Sequence, residues 1–175
     1  MIALAVAGLL GWGLTHPNAG CACGPTISFG RHQPGFRRLA GAPERAVLRL
    51  PVHVRLASEL GRPKGVYAGS SHAALVLYGA GSRYGAFRFT AAPLPDGFGA
   101  RAVRELASEC DVCTENRLVL LVPGVRGALM AGGTGPNSVT WLENGMQMVV
   151  LGPADSFGGS RAVAAARALA QVNAR

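Results

Sequence analysis

Two apolar runs around an Asn-Gly pair form the clearest pattern in the chain, SVTWLENGMQMVVLGP at residues 138–153. Asn-Gly favours a two-residue type I′ turn, in which both central residues have positive φ. The pattern therefore predicts a β-hairpin with its turn at Asn144-Gly145. Such a turn sets three cross-strand pairs on one face of the hairpin: Glu143 with Met146, Trp141 with Met148, and Val139 with Val150.

Further apolar runs upstream predict additional strands. They are SSHAALVLYG (70–79), YGAFRFTA (84–91), RLVLLV (117–122) and VRGALMA (125–131). The first two are predicted to pair as antiparallel neighbours, and Pro123-Gly124 joins the last two. Residues 45–67 are also apolar, but Pro51 and Pro63 interrupt them, which favours an edge segment and a turn over a central strand.

Two segments have the spacing of amphipathic helices. In AVRELASEC (102–110), the apolar positions at i, i+3, i+4 and i+7 are Val103, Leu106, Ala107 and Cys110. In RAVAAARALAQVN (161–173), the corresponding small-residue stripe comprises Ala162, Ala165, Ala166, Leu169 and Val172. Strands in successive hairpins with two helices laid across them predict an α+β fold. With 175 residues, 25 glycines and 11 prolines, the chain fits one domain rich in turns.

The N-terminus resembles an export signal. Ile2–Leu14 is a run of thirteen uncharged, mainly apolar residues. This is shorter than the roughly 20 residues that span a bilayer, but it suits the apolar core of a secretory signal. Ala19-Gly20-Cys21 resembles a lipoprotein processing site at which Cys21 is lipidated, although Asn18 replaces the preferred aliphatic residue. Two alternatives stay open: the outer end of a membrane-spanning helix from an upstream start, and a buried N-terminal helix.

These signals divide the chain into three parts. Residues 1–21 are predicted to be a signal peptide or membrane anchor, 22–38 a flexible tether, and 39–175 a single extracytoplasmic α+β domain. The domain is expected to be secreted or anchored to the outer face of a bacterial cell membrane. The membrane, reached through the N-terminal segment or a lipid anchor, is therefore the first expected partner.

The positive charge is concentrated in the first half of the chain. Residues 1–90 carry ten cationic side chains against two carboxylates, whereas residues 91–175 carry seven of each. A basic half can bind anionic lipid or an anionic polymer. Nothing in the sequence resembles an RNA-binding aromatic signature, a zinc finger or a basic helix, which argues against nucleic acid. The alternative is that the arginines reflect genomic base composition and are scattered over a solvated surface.

The four cysteines form two close pairs, Cys21/Cys23 and Cys110/Cys113. In an oxidising compartment, the expected use of Cys110 and Cys113 is a structural disulfide at the end of a helix. A redox-active pair is the main alternative, but a helix C-terminus and neighbouring carboxylates disfavour the thiolate. A four-cysteine zinc site is a further alternative. No metal or other cofactor is predicted.

Four segments together resemble a family of bacterial extracytoplasmic domains. They are LGRPKGVY (60–67), LVLYG (75–79), SVTWLENGMQMVVLGP (138–153) and AVAAARALA (162–170). The family occurs in lipoproteins and in the outer regions of anti-sigma-factor-like membrane proteins, and it is distantly similar to lipoprotein-carrier (LolA-like) half-barrels. The resemblance spans roughly residues 45–172. It implies a curved antiparallel sheet with about two helices packed on one face, an apolar groove beneath them and no catalytic residues.

The sequence contains no recognisable catalytic motif. It lacks Gly-x-Ser-x-Gly and a His-Glu-x-x-His helix, and its four histidines are dispersed. Trp141, Met146 and Met148 are candidates for lining a lipid groove, with core packing as the alternative. We therefore expect a non-enzymatic domain that binds an envelope ligand, such as a lipid, or a partner protein. A thiol–disulfide redox protein using Cys110 and Cys113 is the alternative function.

Overall fold

Among the described residues, eight strands form one antiparallel sheet. In spatial order across the sheet they are β1 (Phe36–Arg38), β2 (Gly65–Gly69), β3 (Ala74–Tyr78), β4 (Phe87–Pro93), β8 (Met146–Gly152), β7 (Asn137–Glu143), β6 (Val125–Ala131) and β5 (Glu115–Val122). The structure is a computed structural model that describes Gln33 and residues 35–69, 72–94, 98–108, 113–133 and 135–173. Within these residues the sheet is open, with β1 and β5 as its two edges. The predicted α+β class, an antiparallel sheet of hairpins with helices, is confirmed.

The helices are α1 (Pro43–Val47), α2 (Ala100–Leu106) and α3 (Gly159–Asn173), together with a short 3₁₀ helix at Ser58–Leu60.

Pairing of β4 with β8 joins two halves of the sheet. Strands β1 to β4 form one four-stranded meander, and β5 to β8 form the other. The two meet where Phe89 pairs with Val150 and Ala91 pairs with Met148. Because β5 lies at the far edge, the connection from β4 must cross half of the sheet, and α2 lies within that connection.

The predicted hairpin is confirmed residue by residue. Glu143 pairs with Met146, Trp141 with Met148, and Val139 with Val150. Asn144 and Gly145 have φ values of 51° and 71°, as a type I′ turn requires. The predicted pairing of residues 70–79 with 84–91 is also confirmed, as β3 with β4.

The main core lies between one sheet face, here called the inner face, and the long helix α3. That helix packs across β5, β6, β7 and β8. Its small residues Ala162, Ala165 and Ala166 are fully buried, so the helix can lie close to the sheet. Three stacked rings continue the core along the inner face, with centroids 4.5 Å apart for Tyr78–Phe87 and 5.1 Å for Phe87–Phe157.

Helices occupy both faces of the sheet, which refines the prediction. The two on the inner face are α1, through buried Ala46, and α3. The predicted helix at residues 102–110 is instead α2 on the opposite, outer face, where Val103, Leu106 and Ala107 pack against Ala128. Its periodicity correctly identified a buried stripe, but a stripe does not specify which sheet face it covers.

The N-terminal part of the sheet extends further than predicted. Gly65–Gly69 is an interior strand between β1 and β3, so the prediction of an edge segment and turn is wrong there. Phe36–Arg38 forms β1, three residues before the predicted start of the domain at residue 39. The sheet reaches back to Phe36 because this side chain packs against a buried cluster of Tyr67, Leu75 and Leu77 on the outer face.

We expect Gly145→Ala to destabilise the fold by about 1–2 kcal/mol, because a Cβ in the left-handed region is strained. No atom lies within 4 Å of the added methyl group, so the cost comes from φ alone. Urea denaturation measures it. Gly81→Ala is the matched control, since Gly81 also has open space but no positive φ. Equal midpoints for the two variants would contradict the turn geometry.

Candidate functional site

An open groove of about 340 Å³ runs between α2 and the edge of the sheet on the outer face. Clefts that bind small ligands begin at about this size, roughly 300 Å³. Its lining consists of Ala100, Val103, Arg104, Leu118, Leu120, Gly124, Val125, Arg126 and Leu142. We call this feature the α2 groove.

The floor of the α2 groove follows from the apolar run in β5. Alternate residues of a strand point to opposite faces, so Val119 and Leu121 enter the inner core while Leu118 and Leu120 point outward. Helix α2 covers Leu118 together with Leu142 of β7. Leu120 extends beyond the helix and is 56% exposed, although leucine side chains are usually buried.

Two arginines border the apolar floor. Arg104 projects from α2, and Arg126 lies on β6 directly opposite Leu120. Both are exposed, and neither forms an ion pair with a described carboxylate. The nearby Glu105 is instead held by Arg101, at 2.5 Å. The two guanidinium groups therefore remain available to an anion.

The described lining of the α2 groove combines apolar and cationic side chains. Among the described residues, its lining includes no carboxylate, imidazole, hydroxyl or thiol side chain. Such groups act as nucleophiles and as general acids or bases. An apolar floor beside two guanidinium groups instead matches a ligand with a hydrocarbon part and an anionic part.

Comparison with known proteins leaves this chain without a match. No protein-family model matches it, and no curated protein or solved structure matches at a significant level. The resemblance to extracytoplasmic, carrier-like domains therefore stays a prediction.

The residues proposed to line a lipid groove lie on the inner face. Trp141 and Met148 are almost fully buried in the main core, and Met146 packs against its margin. The Trp141 ring stacks against Phe89, with centroids 6.1 Å apart. None of the three lines the α2 groove. Their placement matches the core-packing alternative.

A buried carboxyl group accompanies Trp141. The indole Nε1–H donates a hydrogen bond to Glu143 Oε2 at 3.0 Å, and Glu143 is 7% exposed. Glu143 Oε1 is buried without a hydrogen-bond partner among the described residues. Burial raises the pKa of Glu143, and the hydrogen bond from Trp141 partly opposes that rise.

The adjoining turn is tied to the end of α3. Asn144 Nδ2 donates a hydrogen bond to the Asn173 carbonyl oxygen at 2.9 Å. The Asn173 side chain in turn accepts from the Arg55 backbone N–H at 2.8 Å. The end of the hairpin is therefore connected to α3 and to the loop before the 3₁₀ helix, which suits a structural role.

The outer face also carries a partly buried cation, Arg88 of β4. Burial lowers the pKa of Arg88 to about 10. This value is still well above neutrality, so the guanidinium stays charged at pH 7. Its cross-strand neighbours on the outer face are Leu77 of β3 and Leu151 of β8.

Two of the predicted thiol sites fall outside the described residues. These are the lipidation candidate Cys21 and the disulfide candidate Cys110. Cys113 is described, is partly buried beside Met130, and has an interaction within the molecule. The disulfide, the lipid anchor and the redox alternative all stay predictions. Among the residues that the structure covers, no three His, Cys, Asp or Glu side chains form a metal-binding group.

The described helices are all too short or too polar to cross a bilayer. The predicted signal or anchor at residues 1–21, and the tether up to residue 32, lie outside the described residues.

The sequence analysis did not predict the α2 groove, although the sequence shows the apolar residues that form its floor. RLVLLV is apolar on both faces, which indicates a strand covered on both sides or one with exposed apolar residues. Leu118 and Leu120 were therefore identifiable as a second apolar face. Arg104 and Arg126 were not, because helix and strand residues meet there through a contact between distant parts of the chain.

We expect Glu143→Gln to remove a pH dependence of stability. A raised pKa means that the folded protein binds the proton more tightly than the unfolded chain does. The wild type therefore gains stability from Glu143 as pH falls through the raised pKa, and loses it as pH rises. The side-chain oxygen of Gln can still accept the hydrogen bond from Trp141. The stability of the variant relative to the wild type should therefore increase from pH 4 to pH 7. Urea midpoints measure this.

Glu44→Gln is the control for that series, because the Glu44 side chain is 64% exposed. Its midpoint should follow that of the wild type at each pH. A wild type that becomes more stable relative to Glu143→Gln on going from pH 4 to pH 7 would contradict a raised pKa.

A Cys110–Cys113 disulfide predicts a specific tryptic peptide. Cleavage after Arg104 and Arg117 releases residues 105–117, which contain both cysteines. If the bond forms, mass spectrometry without reduction should find this peptide lighter by two hydrogen atoms and resistant to alkylation. Full alkylation of both thiols in protein isolated from an oxidising compartment would contradict the disulfide.

Proposed function

We propose that the chain is a non-enzymatic binding domain of the bacterial cell envelope, secreted or held at the outer face of the membrane by its N-terminal segment. It binds an apolar envelope ligand that carries an anionic group. The observation that supports this most directly is the α2 groove, in which exposed Leu120 lies opposite Arg126, whose guanidinium forms no ion pair with a described carboxylate. The signal-like N-terminus supports the location.

The groove is suited to a reversible carrier or sensor site. It is open to solvent along α2, so a ligand can enter without the sheet separating. Ligand contact would bury Leu120 and cover the partly exposed Leu118 and Leu142, which gains hydrophobic free energy. An anionic head group would pair with Arg104 or Arg126, and a charge-assisted hydrogen bond there fixes its orientation.

A fluorescent fatty acid tests this proposal directly. The probe is 11-(dansylamino)undecanoic acid, and its uncharged methyl ester is the comparison ligand. Leu120→Ser should weaken binding of both probes several-fold, because each loses apolar contact. Arg126→Gln should weaken binding of the acid about tenfold and leave the ester unchanged, because only the acid carries the anionic group.

Leu48→Ser is the matched control for the fluorescence titrations. Leu48 is the other strongly exposed large apolar residue of the described chain, and it lies outside the α2 groove. Its affinity for both probes should equal that of the wild type. Equal affinities for wild type, Leu120→Ser and Arg126→Gln would exclude the groove as the binding site.

A further inference from the structure

A basic surface around α1 exposes a leucine at its centre. Leu48 directly follows α1 and is 83% exposed. Arg45 and Arg49, on either side of it in sequence, are both exposed as well. Interfacial segments of proteins combine basic side chains with apolar side chains that enter the lipid, and this site has both kinds of residue.

Neighbouring segments extend this positive surface. Arg62 Nε lies 3.7 Å from Glu44 Oε1 of α1, and Arg49 donates a hydrogen bond to the carbonyl of Ala40. We call the surface formed by α1, Leu48, Arg49 and the neighbouring Arg62 the basic patch: Arg45, Leu48, Arg49 and Arg62.

The charge of the basic patch is unbalanced. It contains three cationic side chains, and in the described ion pairs it is matched by a single carboxylate, Glu44, which pairs with Arg62. The other exposed ion pairs described, such as Arg101–Glu105 and Arg117–Glu115, are each neutral. The basic patch therefore carries part of the excess charge that the sequence places in its first half.

We propose that the basic patch docks on the surface of a membrane that contains anionic phospholipids. Leu48 enters the interface while the neighbouring guanidinium groups contact phosphates. Two observations favour lipid over a soluble polyanion. A soluble anionic polymer gives no reason to expose Leu48, and α1 is the described helix nearest in sequence to the apolar N-terminal segment.

Docking through the basic patch orients the domain. The patch lies at the β1–β2 end of the sheet, whereas the α2 groove is bordered by β5 and β6 at the other end. A domain held by Leu48 and its neighbours therefore keeps its groove away from the lipid contact. This inference depends on the proposed location at the membrane, but not on ligand binding in the groove.

Hydrogen exchange on the full chain in vesicles tests the docking. The protein is reconstituted into phosphatidylcholine vesicles with or without phosphatidylglycerol, so that the N-terminal segment is treated equally in both. Amide protection over residues 44–50 should be higher in the anionic vesicles and should fall at high salt, which screens exposed charges. Each arginine removed should lower the docked population about fivefold.

The expected effect of each variant on the docked population follows from the two components of the contact, the arginine charges and the apolar side chain of Leu48. The double variant Arg45→Gln/Arg49→Gln should lose about 30-fold of the docked population, and Leu48→Ser should also lower it. Arg101→Gln/Arg117→Gln is the matched control, because it removes the same charge from α2 and the far edge strand β5. It should retain the wild-type protection.

Three results would overturn the proposal. One is equal protection of residues 44–50 in neutral and anionic vesicles. Another is an equal loss in the Arg101→Gln/Arg117→Gln control, which would show a non-specific charge effect. The third is equal protection by soluble polyglutamate with no effect of Leu48→Ser, which would assign the patch to a soluble anionic polymer. Because fatty-acid binding is a separate measurement, failure here leaves the groove result unaffected.

Discussion

The pairing of β4 with β8 is the constraint on which the arrangement of this protein depends. It joins residues 87–93 to 146–152, and it makes one sheet from two meanders that are each built from local contacts. It also places β5 at the far edge, so the chain after β4 must cross the outer face of the sheet. Helix α2 forms in that crossing and covers part of the outer face of β5, β6 and β7. The α2 groove is the part of that face beside the helix which remains uncovered.

The two faces of the sheet have different roles for a physical reason. The inner face is closed by α3, whose alanines allow close packing and leave Trp141 and Met148 with almost no contact with solvent. A buried indole there keeps a carboxyl group as its hydrogen-bond partner, with the raised pKa that burial imposes. On the outer face, the seven residues of α2 are too few to cover the sheet, so Leu120 stays exposed.

The two proposed functional sites are exposed surfaces outside the main core. The basic patch and the α2 groove each combine an exposed leucine with arginines, but they lie at opposite ends of the sheet. Contact with an anionic membrane at one end and a ligand with an anionic group at the other would suit a carrier or sensor at the membrane surface. Both proposals use electrostatic attraction to select the partner and apolar burial to hold it.

Local sequence alone determined the hairpin of β7 and β8, including its register, because Asn144-Gly145 restricts the turn and the side-chain period of a strand is two. It also determined the buried stripes of α2 and α3. Only the tertiary structure decided that β2 is an interior strand, since its five residues carry little pattern and depend on β1 and β3 as neighbours. The same holds for the face that α2 covers and for the meeting of Leu120, Arg104 and Arg126 in one groove. These features come from contacts between residues far apart in the chain, and local periodicity contains no information about them.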